Sequence, residues 1–152
     1  MFIRELTLYT TQLKVIQQFY VKTLGFSLLS SSPEEITIKA GSTKLKFRLS
    51  RKSTPYHFAF NIPAYQEEQA LSWLKERVDI IEDEGNEIQV FEKWNAKAIY
   101  FYDPDMNIGE FISRRAIGAA DSNGFSIESV LAVSEIGIPV ENTPELCRDL
   151  IN

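Results

Sequence analysis

The sequence predicts an α+β protein built from two copies of one strand–helix–three-strand unit, βαβββ. Three observations predict it. First, Glu5-Leu6-Thr7-Leu8, His57-Phe58-Ala59-Phe60 and Glu135-Ile136-Gly137-Ile138 each set an ionisable residue at the head of a short alternating strand. Second, a segment with helical spacing of apolar residues follows each strand, the last cut short by the end of the chain. Third, three further strand-like runs follow each of the first two helical segments. Repetition of this size means stacked copies of a supersecondary unit. It also gives Glu5 and His57 equivalent places, and a pseudo-twofold between the units would bring them face to face.

The elements follow in order. From Phe2 to Thr10 residues alternate, with Leu6 and Leu8 on one face and Glu5, Thr7 and Tyr9 on the other. Leu13, Ile16, Phe19, Tyr20 and Leu24 recur at helical spacing, and Gly25 is the expected stop. Runs 26–31, 35–40 and 44–50 read as strands, separated by the turn residues Ser32-Pro33 and Gly41-Ser42. The polar stretch 51–56 links the first unit, residues 2–50, to a second, residues 57–115. In that second unit 57–62 alternates, with His57, Ala59 and Asn61 opposite Phe58, Phe60 and Ile62. Ala70, Leu71, Leu74 and Val78 form a helical stripe with Trp73 beside it. Strands are expected over 87–91, 97–102 and 108–113, the last two joined by the tight turn Asp103-Pro104-Asp105-Met106-Asn107. Residues 114–124 read as a linker. Residues 127–133 suit a short helix or an extended segment, 134–140 is a third copy of the opening strand, and 144–151 begins a helix. A lone strand–helix start cannot bury its own faces, so residues 116–152 are expected to pack on the body or on a partner chain.

Composition bounds the function. The chain has 152 residues, 44% hydrophobic and 12% aromatic, and a net charge of −5, which suits one ordinary globular domain. The modest negative charge and the scattered basic residues disfavour nucleic acid and anionic membranes as partners. One cysteine, Cys147, rules out an internal disulfide framework. No apolar run reaches membrane-spanning length, and a cytoplasmic location is the expectation. No Ser-His-Asp signature, phosphate-binding glycine loop or dinucleotide fingerprint is visible.

Several segments together carry a resemblance: Glu5-Leu6-Thr7-Leu8, Phe19-Tyr20 with Leu24-Gly25-Phe26, His57-Phe58-Ala59-Phe60, and the run from Tyr100 to Phe111, YFYDPDMNIGEF. The chain resembles the glyoxalase, bleomycin-resistance and extradiol-dioxygenase group, the vicinal oxygen chelate superfamily, over about residues 2–115. The resemblance implies paired βαβββ modules forming a cup-shaped mixed sheet, with helices on its outer face. It further implies a divalent metal ion (Mn, Fe, Zn, Ni or Mg) on the cup floor. By position the implied ligands are Glu5, His57 and Glu110. Relatives usually carry His or Gln where this chain has Glu5, and the extra carboxylate weakens the dioxygenase reading of two His and one carboxylate. The fourth-strand ligand of glyoxalase I and related epimerases has no counterpart, because Lys46 and Arg48 face the cup there and neither ligates while protonated.

Two carboxylates and an imidazole can hold a hard or borderline ion and leave positions open for substrate oxygens. Glu110 or Tyr102 is the candidate proton carrier. Lys46, Arg48, Tyr9, Asn61 and Tyr100 are candidates for binding substrate, and two cations suit an anionic one. Each residue also has an ordinary structural role to weigh. Glu5 can be a surface ion-pair partner, His57 a hydrogen-bonded strand residue, and Glu110 the partner of a cation such as Lys46 or Arg48. Three readings stay open: a metal-dependent lyase, isomerase, thiol transferase or dioxygenase acting on a small oxygen-rich molecule, a metal-free small-molecule-binding protein like those of bleomycin resistance, and a noncatalytic half of a larger protein, suggested by the truncated third repeat. Among the enzymes, the three-position ligand pattern is shared best with fosfomycin-resistance thiol transferases. A homodimer is expected.

Overall fold

A computed structural model of the chain describes residues 3–117, 124–137 and 148. Ten strands and two helices build two mixed sheets within it. In the first unit β1 (Glu5–Thr10) pairs in parallel with β4 (Thr43–Leu49), which runs antiparallel to β3 (Glu35–Ala40), itself antiparallel to β2 (Ser27–Ser31). The second unit repeats this plan. There β5 (His57–Ile62) pairs in parallel with β9 (Ile108–Arg114), which is antiparallel to β8 (Ala96–Tyr102). Two short strands, β6 (Ile80–Ile81) and β7 (Gln89–Phe91), both pair with β8. The architecture is α+β, with paired modules and helices on one face.

The helices form where the apolar stripes lie. α1 (Leu13–Gln17) continues into a widened π-helical stretch, Gln18–Thr23, whose signature is Leu24 N–H donating to the Phe19 carbonyl at 2.9 Å. Gly25, at φ +80°, ends it. α2 (Glu67–Lys75) buries Ala70 and Leu74. Both helices cover the face that carries the even-numbered apolar residues of β1 and β5. The core there is continuous across the units. Tyr20 packs on Phe47 with ring centroids 4.7 Å apart, and Phe26 on Phe60 at 5.3 Å. Phe19, Phe101 and Phe111 extend the same cluster, and Trp73 stacks on Phe111.

The π-helical stretch is tied to the turn between β8 and β9 by a buried polar knot. The Tyr20 hydroxyl donates to Asp103 Oδ2 at 2.9 Å, and Asn107 Nδ2 donates to the same oxygen at 2.8 Å. Asp103 Oδ1 accepts the backbone N–H groups of Asp105 and Asn107. The DPDMN run is thus a side-chain-capped turn rather than a ligand set. Arg115 and Lys97 close on Glu67 on the other side of the second unit, at 2.5 and 3.3 Å.

The last described segment departs from the expected register. A single helical turn, Ile127–Ser129, precedes β10 (Ala132–Ile136), which begins before the alternating run at Ser134. β10 pairs antiparallel with β5, so the second sheet has the order β10-β5-β9-β8-β6. Val130 and Val133 are both buried in the main core, and this burial of two valines drives the docking. Gly41, at φ +59°, lets Ser42 N–H reach the Leu131 carbonyl at 2.9 Å, and Val133 N–H donates to Thr43 Oγ1 at 3.0 Å. The helix expected over 144–151 and Cys147 lie outside the described residues. Among the described residues no helix is long and apolar enough to cross a membrane.

Candidate functional site

Strand parity decides what faces inward. Phe58, Phe60 and Ile62 of β5 are buried under the helices. His57, Ala59 and Asn61 therefore share the other face, beside Glu110, Ile112 and Arg114 of β9 and Ala98, Tyr100 and Tyr102 of β8. Glu110 lies opposite Ala59 on one side and Tyr100 on the other. Its same-face surroundings are the apolar residues Ala59, Ala98 and Ile112. It is only 3% exposed, and a carboxylate so placed requires partners.

It has them. His57 Nε2 lies 2.8 Å from Glu110 Oε2, and the Tyr100 hydroxyl also hydrogen-bonds this carboxylate. Burial, then the charge of Glu110 and the hydrogen bond to it, push the Tyr100 phenol well above its ordinary value. Tyr100 is therefore a fixed donor at neutral pH. The His57 and Tyr100 rings are 6.0 Å apart between centroids, so Glu110 sits between an imidazole and a phenol. His57 keeps 44% of its side chain exposed, which leaves the pair open to a small molecule.

Arg114 is the residue that sequence reasoning missed. It hydrogen-bonds Asn61 Oδ1 and Ser134 Oγ, and it forms an ion pair with Glu135 of β10. Burial lowers its pKa, against the nearby charge of Glu110. The sequence placed Arg114 in the linker. Its parity with Glu110 and Ile112 was the signal that could have put it on the inner face.

The first unit has an equivalent pair. Thr7 lies opposite Lys46 as Ala59 lies opposite Glu110. Lys46 thus occupies the place of Glu110, and Glu5 that of His57. Lys46 Nζ is 3.0 Å from Glu5 Oε1. Arg48 binds Glu35 Oε2 through Nε at 3.0 Å and through a terminal nitrogen at 2.7 Å, and Tyr9 also hydrogen-bonds Arg48. Tyr102 stands exposed at the end of β8, with Ile108 between it and His57 in the register.

The structure therefore brings His57, Glu110 and Tyr100 together and holds Glu5 with Lys46. Among the described residues no three His, Cys, Asp or Glu side chains converge to hold a metal ion. At 2.8 Å the His57–Glu110 contact is a hydrogen bond; an imidazole and a carboxylate side by side are also the donor types that would hold a divalent ion. β10 takes the edge of β5 opposite β9, with Gly137 N–H donating to the His57 carbonyl at 2.7 Å, while Glu5 pairs with Lys46.

Neither protein-family models nor curated proteins match the sequence. Solved structures do match the fold. A glyoxalase/bleomycin resistance protein/dioxygenase from Alicyclobacillus acidocaldarius aligns with a TM-score of 0.60 and 22% identity, over 74% of this chain and 91% of that one. A lactoylglutathione lyase from Agrobacterium tumefaciens aligns with a TM-score of 0.60 and 18% identity, over 73% and 92%. An oxidase aligns with a TM-score of 0.56 and 17% identity, over 78% and 99%. The duplicated units, the parallel pairs β1–β4 and β5–β9 and these likenesses together show that this chain has a glyoxalase-type fold.

Proposed function

We propose that this chain is a divalent-metal-dependent enzyme acting on a small oxygen-rich molecule, with His57 and Glu110 as its paired protein donors. The observation that carries the reading is the 2.8 Å approach of His57 Nε2 to Glu110 Oε2, across two parallel strands and on an open face. A bound ion would supply Lewis acidity to a substrate carbonyl or enolate oxygen. The chain's own residues do the rest. Tyr100 holds the Glu110 carboxylate in one orientation by donating to it. The apolar Ala59, Ala98 and Ile112 keep water from the back of that carboxylate, which strengthens both contacts. His57 presents its exposed edge to the substrate, and Tyr102 and Asn61 lie on the same face as further hydrogen-bonding groups. Lyase, isomerase, thiol transferase and dioxygenase chemistries all fall within the proposal.

The Glu5–Lys46 ion pair favours a second reading, in which the same face binds a small molecule without metal. Metal uptake separates the two. The protein is stripped of metal, offered Mn²⁺, Ni²⁺ or Zn²⁺ in turn, and analysed for bound ion per chain. The expected result is one ion per chain, with affinity reduced about 100-fold in His57→Ala and Glu110→Gln. Equal uptake by the wild type and both variants would overturn the proposal.

A further inference from the structure

A groove of about 900 Å³ opens where β10 passes the start of β1, and neither His57 nor Glu110 lines it. Ile3, Ile117 and Leu131 supply apolar wall, the exposed Arg4 and Lys44 also line it, and the buried Asn61 reaches it from β5. Arg4 and Lys44 have no ion-pair partner among the described residues. Glu5 also lines the groove, but its carboxylate is neutralised by Lys46 at 3.0 Å. Asn61 spends its carbonyl oxygen on Arg114, which turns its amide N–H groups into the available donors.

We propose that this groove is a binding site for a small amphipathic organic anion, a carboxylate carried on an alkyl or aryl body. The volume lies in the range of small-molecule sites, and apolar walls with a few placed polar groups are their usual chemistry. The sign of the charge picks the ligand. The whole chain carries −5, yet the free charges at this rim are both positive, so the local field opposes the global one and selects an anion. The carboxylate is held by Lys44 and Arg4, and its apolar body lies along Ile3, Ile117 and Leu131. The third strand thereby acquires a role of its own: β10 supplies one wall of the groove, and the start of β1 the other. The groove shares Asn61 and Glu5 with the face that carries the metal reading, but it contains neither His57 nor Glu110, and its anion-binding groups, Arg4 and Lys44, have no part in that reading.

Calorimetric titration of the full chain with octanoate, octanol and octylammonium tests this. Octanoate is expected to bind once per chain, octanol more weakly, and octylammonium least. Lys44→Gln should weaken octanoate about fivefold and leave octanol unchanged, since a partly exposed charge contact contributes modestly. Leu131→Gln, at an exposed wall position, should weaken octanoate and octanol alike. His57→Ala should leave octanoate affinity as in the wild type. The proposal is overturned by octanol binding as tightly as octanoate, by no octanoate binding at millimolar concentration, by indifference to Lys44→Gln, or by loss of octanoate affinity in His57→Ala.

Discussion

Replacing Gly41 with alanine should destabilise the protein by roughly 2 kcal/mol more than the same change at Gly85, because only Gly41 is pressed against another strand. Both glycines have positive φ, +59° and +80°. Each alanine variant therefore carries the left-handed backbone strain, about 1–2 kcal/mol. A Cβ at Gly85 would meet nothing within 4 Å, whereas one at Gly41 would sit 2.1 Å from the Leu131 carbonyl oxygen and 2.5 Å from that of Val130. Those neighbours are backbone, so the strand itself must retreat by more than an ångström. Full detachment would forfeit the burial of Val130 and Val133, at about 1.5–3 kcal/mol for each side chain, together with the hydrogen bonds at Ser42 and Thr43. A partial shift costs a fraction of that sum, and roughly 2 kcal/mol is its lower part.

Urea unfolding followed by tryptophan fluorescence reads this directly. Trp73 touches Phe125 of the last described segment, with centroids 5.6 Å apart, so its signal also reports whether that segment stays docked. Equal destabilisation of the two variants would refute the argument and, with it, the packing of β10 against the turn before β4.

Two further outcomes follow from the buried ionic groups. Burial works to raise the pKa of Glu67, but hydrogen bonds from Arg115, its own backbone and Ser113 prevail and lower it from 4.5 to about 2. A depressed carboxylate contributes stability above its unfolded pKa and loses it as pH falls through the folded one. The wild type should therefore lose about 3 kcal/mol relative to Glu67→Gln between pH 5 and pH 2, at about 1.4 kcal/mol per pKa unit; urea midpoints that run parallel over this range would rule the linkage out. Tyr20→Phe removes a buried donor from Asp103, a carboxyl that burial already raises against its hydrogen bonds. It should cost about 1.5–3 kcal/mol, and unchanged thermal stability would show that the knot does not hold the π-helical stretch.

Much of the fold was legible because it rests on local patterns. Alternation marked β3 and β5 at their observed bounds, Glu35–Ala40 and His57–Ile62. The stripe from Leu13 to Leu24 marked the first helix, though not its π-helical widening, which depends on how Phe19 and Tyr20 pack. β6 was missed because two residues, Ile80–Ile81, are too short to show a period. β10 was placed too late because Val133 and, just before the strand, Val130 precede the alternating run, and their burial depends on tertiary contacts with Gly41 and Thr43. At the site, parity placed His57 on the face opposite Phe58 and Phe60, whereas Glu110 was placed by the resemblance of the run from Tyr100 to Phe111. Arg114 was not placed, since a linker-like sequence follows it directly.

The deeper gap concerns what duplication implies. Repeating a unit repeats its internal neighbours, and the structure has the two pairs this requires: Glu5 with Lys46 at 3.0 Å and His57 with Glu110 at 2.8 Å. Each joins the head of a first strand to the residue facing the third position of that strand on its parallel partner. Such a contact is set by register and survives copying. A meeting of Glu5 with His57 is of another kind, because it depends on which edges the units present to each other. Here the edge of β5 is taken by β10, which brings its own carboxylate, Glu135, to Arg114. β10 thus lies along β5 and, through Val133 N–H on Thr43 Oγ1, also touches the start of β4. The same substitution of neighbours that parts Glu5 from His57 builds the groove beside it, so the feature that makes this chain depart from a three-ligand cup is also the one that gives it a second concave surface.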